Sequence, residues 1–215
     1  MPKLRVHNIG VSVDGFAAGA NQSIDNPLGV GGRRLHDWVF ASRYGRAMIG
    51  QSGGDTGIDN DFLVRGDENI GAHIMGRNMF GPIRGEWEGD WRGWWGDEPP
   101  YHHPVFVLTN HPRPPLAMNG GTTFYFVTEG IDAAYKLAFD AADGRDVRVG
   151  GGASTIQQML RVRLVDEMHI AIAPTLLGSG ERLFEDIDME ALGYECSDFV
   201  ASPTVAHVRF TRRGD

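Results

Sequence analysis

Apolar and polar residues alternate through residues 4–13 (LRVHNIGVSV), and the run stops at Asp14-Gly15, which predicts an opening strand and a turn. Residues 17–32 are rich in Gly and Asn and read as a long loop. Leu35, Trp38, Val39 and Ser42 recur at helical spacing over 33–45, with Gly45 as the expected stop. Residues 50–58 are again Gly-rich, and 60–71 carry a weaker helical pattern. The short apolar run AHIM (72–75) opens on Gly76-Arg77. VFVLT (105–109) and TTFYFV (122–127) are strands of the buried type. A helix over 131–143 puts Ile131, Ala134, Tyr135, Ala138 and Ala141 on one face. A short strand (146–149), three glycines, a helix (153–161) and a strand (164–174) follow. Strand–helix–strand alternation predicts a mostly parallel α/β sheet with right-handed crossovers. The tail departs from it: 194–201 and 204–212 flank Ser202-Pro203 and predict an antiparallel hairpin. No repeat or boundary divides the chain, so a single domain over 1–215 is expected, interrupted by a period-free Gly/Trp-rich excursion at 86–104.

Composition narrows the function classes. The formal net charge of −8 and the lack of any Lys/Arg cluster argue against a nucleic-acid surface. Cys196 is the single cysteine, so no intrachain disulfide forms and a reducing compartment is expected. No apolar stretch approaches the ~20 residues that span a bilayer, and the first residues lack a signal-peptide core, so no membrane partner and a cytoplasmic location are expected.

Three places offer binding chemistry. Gly150-Gly151-Gly152-Ala153-Ser154-Thr155 stands at a strand-to-helix junction. There, backbone N–H groups and a helix N-terminus suit an anion such as a diphosphate, although three glycines also make a plain tight turn. The spacing is neither a Rossmann fingerprint nor a P-loop. Gly76-Arg77-Asn78-Met79 follows an apolar strand, where an arginine presents its planar fork to a phosphate or simply faces solvent. Leu108-Thr109-Asn110-His111 ends another strand, where open α/β sheets bind ligands; the alternative is a polar turn before Pro112.

The order of these motifs resembles the dihydrofolate reductase superfamily. The similarity is greater to stand-alone relatives of the reductase domain of bacterial riboflavin biosynthesis. Ser12-Val13-Asp14-Gly15, Leu164-Val165-Asp166-Glu167 and Pro174-Thr175-Leu176-Leu177-Gly178-Ser179-Gly180 with Leu183-Phe184 complete the set across about 200 residues. The resemblance implies a dihydrofolate-reductase-like three-layer α/β sandwich, a mostly parallel central sheet with a C-terminal antiparallel hairpin. It also implies NADPH as cofactor, hydride transfer to a small-molecule substrate, and a homodimer. It assigns the 2′-phosphate and adenosine end to Arg77, Asn78, Thr109, Asn110 and His111, and adds Gly76 and Met79 to the cofactor-binding residues. The diphosphate falls to Gly151, Gly152, Ala153, Ser154 and Thr155, and the nicotinamide to Ala17 and Gly150. No H-x-E or P-C-x-x-C motif is present, so no zinc deaminase unit is expected. A catalytically silent protein that keeps the fold is the alternative reading.

Reducing a C=N or C=O bond also needs a proton. By the resemblance, Asp37 on the first helix stands near the superfamily's carboxylate, against a solvated helix residue. Asp14 is the second candidate, against a turn-forming Asp. His102 and His103 are adjacent rather than at ligand spacing, and no metal is expected. Trp87, Trp91, Trp94 and Trp95 read as a lid or as loop packing.

Overall fold

The computed structural model describes residues 1–81, 85–87 and 89–214. Its frame is a nine-stranded sheet in the order β10-β11-β8-β1-β7-β3-β4-β6-β5. The parallel strands are β1 (Leu4–Ser12), β3 (Ile70–Gly76), β4 (Pro104–Leu108), β6 (Thr123–Val127), β7 (Asp146–Gly151) and β8 (Glu167–Ala173). The short β5 (Leu116–Ala117) pairs antiparallel with β6. The tail hairpin, β10 (Tyr194–Ala201) and β11 (Ala206–Arg212), pairs with β8 and extends the sheet at its other edge.

The two faces of the sheet differ in chemistry. In register, Val6, Val149, Ile74 and Phe106 form one row across β1, β7, β3 and β4. They lie in the main apolar core, which α5 (Ile131–Ala141) and α6 (Ala153–Arg161) cover with Ala134, Ala138, Ile156 and Leu160. The neighbouring row, on the opposite face, reads Glu167, Arg5, Arg148, His73 and Val105. Its middle is polar and largely buried: Arg5 is 6% exposed, His73 5% and Glu167 8%.

Two covers flank that polar strip. Over β8 and β1 lie a 3-10 turn (Gly32–His36) and α1 (Asp37–Ala41), α2 (Arg43–Met48) and α3 (Ile58–Asp67), packed through Leu35, Trp38 and Leu63. Over β3, β4 and β6 lies the Trp-rich stretch, with Trp87, Trp91, Trp95 and Tyr101 against Met75, Phe80, Val107 and Phe124. The excursion expected at 86–104 is therefore a wall with its own aromatic core.

Helix α3 is held by polar contacts, which explains its weak amphipathic signal. At its start Asp59 accepts from His207 Nε2 at 2.8 Å, and His169 Nε2 donates to His207 Nδ1 at 3.0 Å. The backbone N–H of Asn8 donates to His169 Nδ1 at 3.2 Å, so one directed chain fixes all three partners. Phe62 stacks against both imidazoles, at 4.4 and 4.1 Å. At the other end Arg5 donates to the carbonyls of Arg65 (2.7 Å) and Glu68 (2.9 Å), a favourable charge at a helix C-terminus. Arg148 pairs with Asp67.

Two local expectations need correction. The loop expected over 17–32 begins inside a strand, β2 (Phe16–Gly19), which pairs with β9 (Gly180–Arg182) in a separate small sheet. The helix expected over 33–45 is broken at Ser42, whose backbone is extended (φ −74, ψ 158) and whose hydroxyl caps α2 by accepting from Gly45 N at 2.9 Å. Gly45 is thus inside a helix: a Cβ there would lie 1.9 Å from the Val39 carbonyl oxygen, so close packing rather than termination demands glycine.

The same logic seats the helical cover on β1. A Cβ on Gly10 would lie 2.3 Å from the Leu35 carbonyl oxygen. Gly10→Ala is expected to cost about 1–3 kcal/mol by forcing strand and cover apart. Urea unfolding measures it, and an unchanged midpoint contradicts the packing.

Candidate functional site

A cleft of about 1290 Å³ opens between the two covers, above the polar strip and the carboxyl ends of β3, β4 and β7. Parallel pairing aligns those ends, so Gly76-Arg77, Thr109-Asn110-His111 and the glycine turn after β7 meet at one edge. Ala17, Gly76, Arg77, Asn78, Met79, Thr109, Asn110, His111, Gly150, Gly151, Gly152, Ala153, Ser154 and Thr155 all line this cleft.

At the glycine turn, helix α6 starts with no side chain among the described residues capping it, which leaves its first amides available to an anion. Gly151 has φ +131, and a Cβ on Gly152 would meet nothing within 4 Å, so the backbone there borders open cleft. A Cβ on Gly76 would lie 2.4 Å from Thr155 Oγ1, which ties the start of α6 to the end of β3. Arg77 reaches Thr109 Oγ1 at 3.5 Å and the Gly85 carbonyl at 3.4 Å. Its Nε has no partner among the described residues. Burial, then Arg113, lowers its pKa. A loosely engaged guanidinium beside bare helix amides fits a ligand with two separate phosphate groups.

Asp14 and Asp37 do not line the cleft. Asp14 accepts from the Ser12 hydroxyl (2.5 Å) and from the backbone N–H groups of Leu177 (3.1 Å) and Gly178 (2.7 Å). These bonds, the Ser12 one first, lower its pKa to about 2, and the carboxylate acts as a bracket between two turns. Asp37 is exposed, and its helix turns His36, Val39 and Phe40 towards the cleft instead. Burial lowers the His36 pKa, and its Nδ1 has no partner among the described residues.

The sequence reading missed the cleft floor: His7, Asn8, Asp67, His73, Tyr101, His103 and Arg148. His7 is fully buried, and its Nε2 donates to Glu167 Oε1 at 2.7 Å. Burial is the largest cause of its lowered pKa, about 4, while the hydrogen bond from His7 holds Glu167 down at about 2. At neutral pH the pair is a neutral imidazole on an ionised carboxylate. His73 and His103 stack 4.8 Å apart in mutual hydrogen-bond contact, both kept neutral by burial. The signal available in the sequence was the placing of Arg5, His7 and Arg148 at alternate strand positions beside Leu4, Val6 and Val149. Among the described residues no group of three or more His, Cys, Asp or Glu is placed to hold a metal ion, and no helix there is long and apolar enough to cross a membrane.

This architecture is that of a dihydrofolate-reductase-like α/β protein. It overlays on a dihydrofolate reductase from Enterococcus faecalis, complexed with NADP(H), at TM-score 0.51 and 14% identity, covering 99% of this chain and 96% of that one. A Shewanella sp. PV-4 protein assigned to riboflavin biosynthesis overlays at TM-score 0.59 and 22% identity over 100% of both chains. A pyrimidine reductase-like protein from Corynebacterium diphtheriae overlays at 0.56 and 15%, covering 100% of this chain and 93% of that one. The chain belongs to the RibD C-terminal domain family, which it matches over residues 2–208. In sequence it is also similar to the uncharacterized protein YyaP of Bacillus subtilis, 43% identical over 44 residues, a stretch that spans 20% of this chain and 23% of that protein.

The buried imidazoles make stability depend on pH. His7, His36, His73, His103, His169 and His207 are all held below the ordinary value, burial being the largest cause in each. The unfolded chain protonates them near pH 6.5, whereas folded His7 and His103 wait until about 4. Their contribution is therefore intact above pH 6.5 and lost as pH falls from 6.5 towards 4. Between pH 6.5 and 5 a site such as His7 is expected to remove about 2 kcal/mol. Urea unfolding at pH 7.5 and 5 reads this, and His7→Gln is expected to flatten the difference; equal pH dependence in both proteins contradicts it.

Proposed function

We propose that this chain is an NADPH-dependent reductase that delivers hydride to a small heterocyclic (pteridine- or pyrimidine-like) or carbonyl/imine substrate. The observation that carries the reading is the convergence, in one cleft, of the Arg77 guanidinium with the uncapped start of α6 behind a glycine turn. Gly151, Gly152, Ala153, Ser154 and Thr155 hold the diphosphate through backbone amides. Arg77, Asn78, Thr109, Asn110 and His111 take the 2′-phosphate end, while Ala17 and Gly150 border the nicotinamide, which supplies the hydride when bound. The family membership and the NADP(H) complex of the E. faecalis neighbour support the same reading. With Asp14 occupied by two turns and Asp37 facing away from the cleft, the proton comes from water held over the polar floor.

NADPH is expected to bind more tightly than NADH. Arg77→Ala is expected to lose roughly 1.5–3 kcal/mol for NADPH alone, about ten- to a hundredfold in affinity. Gly152→Val should fold normally, because its side chain points into open cleft, yet fail to bind either nucleotide. Fluorescence titration decides both, and equal affinities for the two nucleotides sink the assignment.

Dihydrofolate is expected to be a poor substrate. A dihydrofolate reductase grips the pterin with a carboxylate fixed on its first helix, and here His36 occupies that wall. Loss of a positioned acid typically costs about 10²–10⁴ in rate. NADPH absorbance with saturating dihydrofolate measures it; a turnover near the ~10 s⁻¹ typical of enzymes overturns this expectation.

A further inference from the structure

Among the described residues Arg77 makes no short hydrogen bond. Its polar contacts to those residues are long, 3.5 and 3.4 Å, where a well-made N–H···O bond is nearer 2.9 Å. Its firm contact is an aromatic ring: the guanidinium carbon lies 3.1 Å from the Trp87 ring centroid. Trp87 is fixed in turn, since its Nε1 donates to the His111 carbonyl at 2.8 Å and its ring meets Phe80 and Phe126 edge-on. A second cation uses the same ring. The Arg113 guanidinium lies 5.0 Å from Trp87 and 5.3 Å from Phe126, and donates to the Trp91 carbonyl at 2.7 Å. Two guanidinium groups gathered around one indole repel each other, and a doubly charged anion beside Arg77 relieves that repulsion.

We propose that Trp87 is the positioning residue that makes this cleft select the phosphorylated nucleotide, holding Arg77 flat so that its Nη edge meets the 2′-phosphate, with Arg113 as a second charge behind it. The inference rests on the NADPH reading above. Neither Trp87 nor Arg113 lines the cleft, so both act through Arg77 and the field around it. The pairing also assigns a task to the Trp-rich wall: it carries the shelf on which the selecting arginine lies.

The test is the ratio of NADH to NADPH dissociation constants, with adenosine 2′,5′-bisphosphate as a probe that contains no nicotinamide. Trp87→Leu is expected to lower the ratio about tenfold by weakening NADPH and the bisphosphate while NADH is unchanged. Trp87→Phe keeps a ring face and is expected to retain the ratio within about threefold. Arg113→Ala is expected to lower it about threefold, an effect that shrinks at high salt. Should Trp87→Leu fail to fold, as its place among Phe80 and Phe126 permits, the Arg113→Ala ratio decides alone. An unchanged ratio in folded Trp87→Leu, or in Arg113→Ala where the leucine variant does not fold, overturns the inference while Arg77→Ala still lowers the ratio. A wild-type protein with no preference for NADPH, or an Arg77→Ala variant that keeps it, overturns the cofactor reading itself and this inference with it.

Discussion

Charged and imidazole side chains buried in the middle of a parallel sheet have to be paired, and that requirement shapes this molecule. Parallel sheets ordinarily carry apolar residues on both faces because both are covered. Here one face obeys the rule and the other places Glu167, Arg5, Arg148 and His73 side by side. An apolar layer laid across that row would strand the charges at a cost of several kcal/mol per ion. The second face is instead covered on either side of the strip and left open above it, and the opening is the cleft.

The pairing does two jobs at once. Arg5 and Arg148 hold the end of α3, while the Asn8–His169–His207–Asp59 chain holds its start. The helical cover is therefore attached by directional bonds as well as by the apolar contacts of Leu35, Trp38 and Leu63. Directional attachment fixes the distance between the cover and the Trp-rich wall opposite it. His7, Asn8, Asp67 and Arg148 consequently belong to the scaffold and to the cleft floor together.

Positive charge collects at one edge of the cleft although the chain as a whole is acidic. The net charge is −8, yet Arg77 stands at the strand-end edge with Arg113 behind it, and the start of α6 adds its partial positive charge, while Arg148 on the floor is paired with Asp67. Attraction of an anion to that edge would be local, within about a Debye length, because no long-range field of the whole chain favours it. The imidazoles of the floor stay neutral at physiological pH and contribute hydrogen bonding without opposing those cations.

The sequence alone determined the parallel strands, the α/β alternation and the tail hairpin, because period-two and helical apolar patterns are local properties of the chain, whereas the short β2, β5 and β9 were not legible in it. It also marked the cleft-lining motifs Gly76-Arg77, Thr109-Asn110 and Gly150-Gly151-Gly152, since strand ends and glycine turns are written in adjacent residues. The tertiary structure alone decided what depends on distance across the fold. Gly45 read as a helix stop because nothing local reveals the Val39 carbonyl pressed against it. Asp37 and His36 are neighbours in sequence, and only the seating of Leu35 on Gly10 turns the imidazole inward and the carboxylate out. Ser12, Leu177 and Gly178 close on Asp14 from segments more than 160 residues apart. The polar strip is invisible to any window, since Arg5, His73, Arg148 and Glu167 become one surface only when four strands take their register.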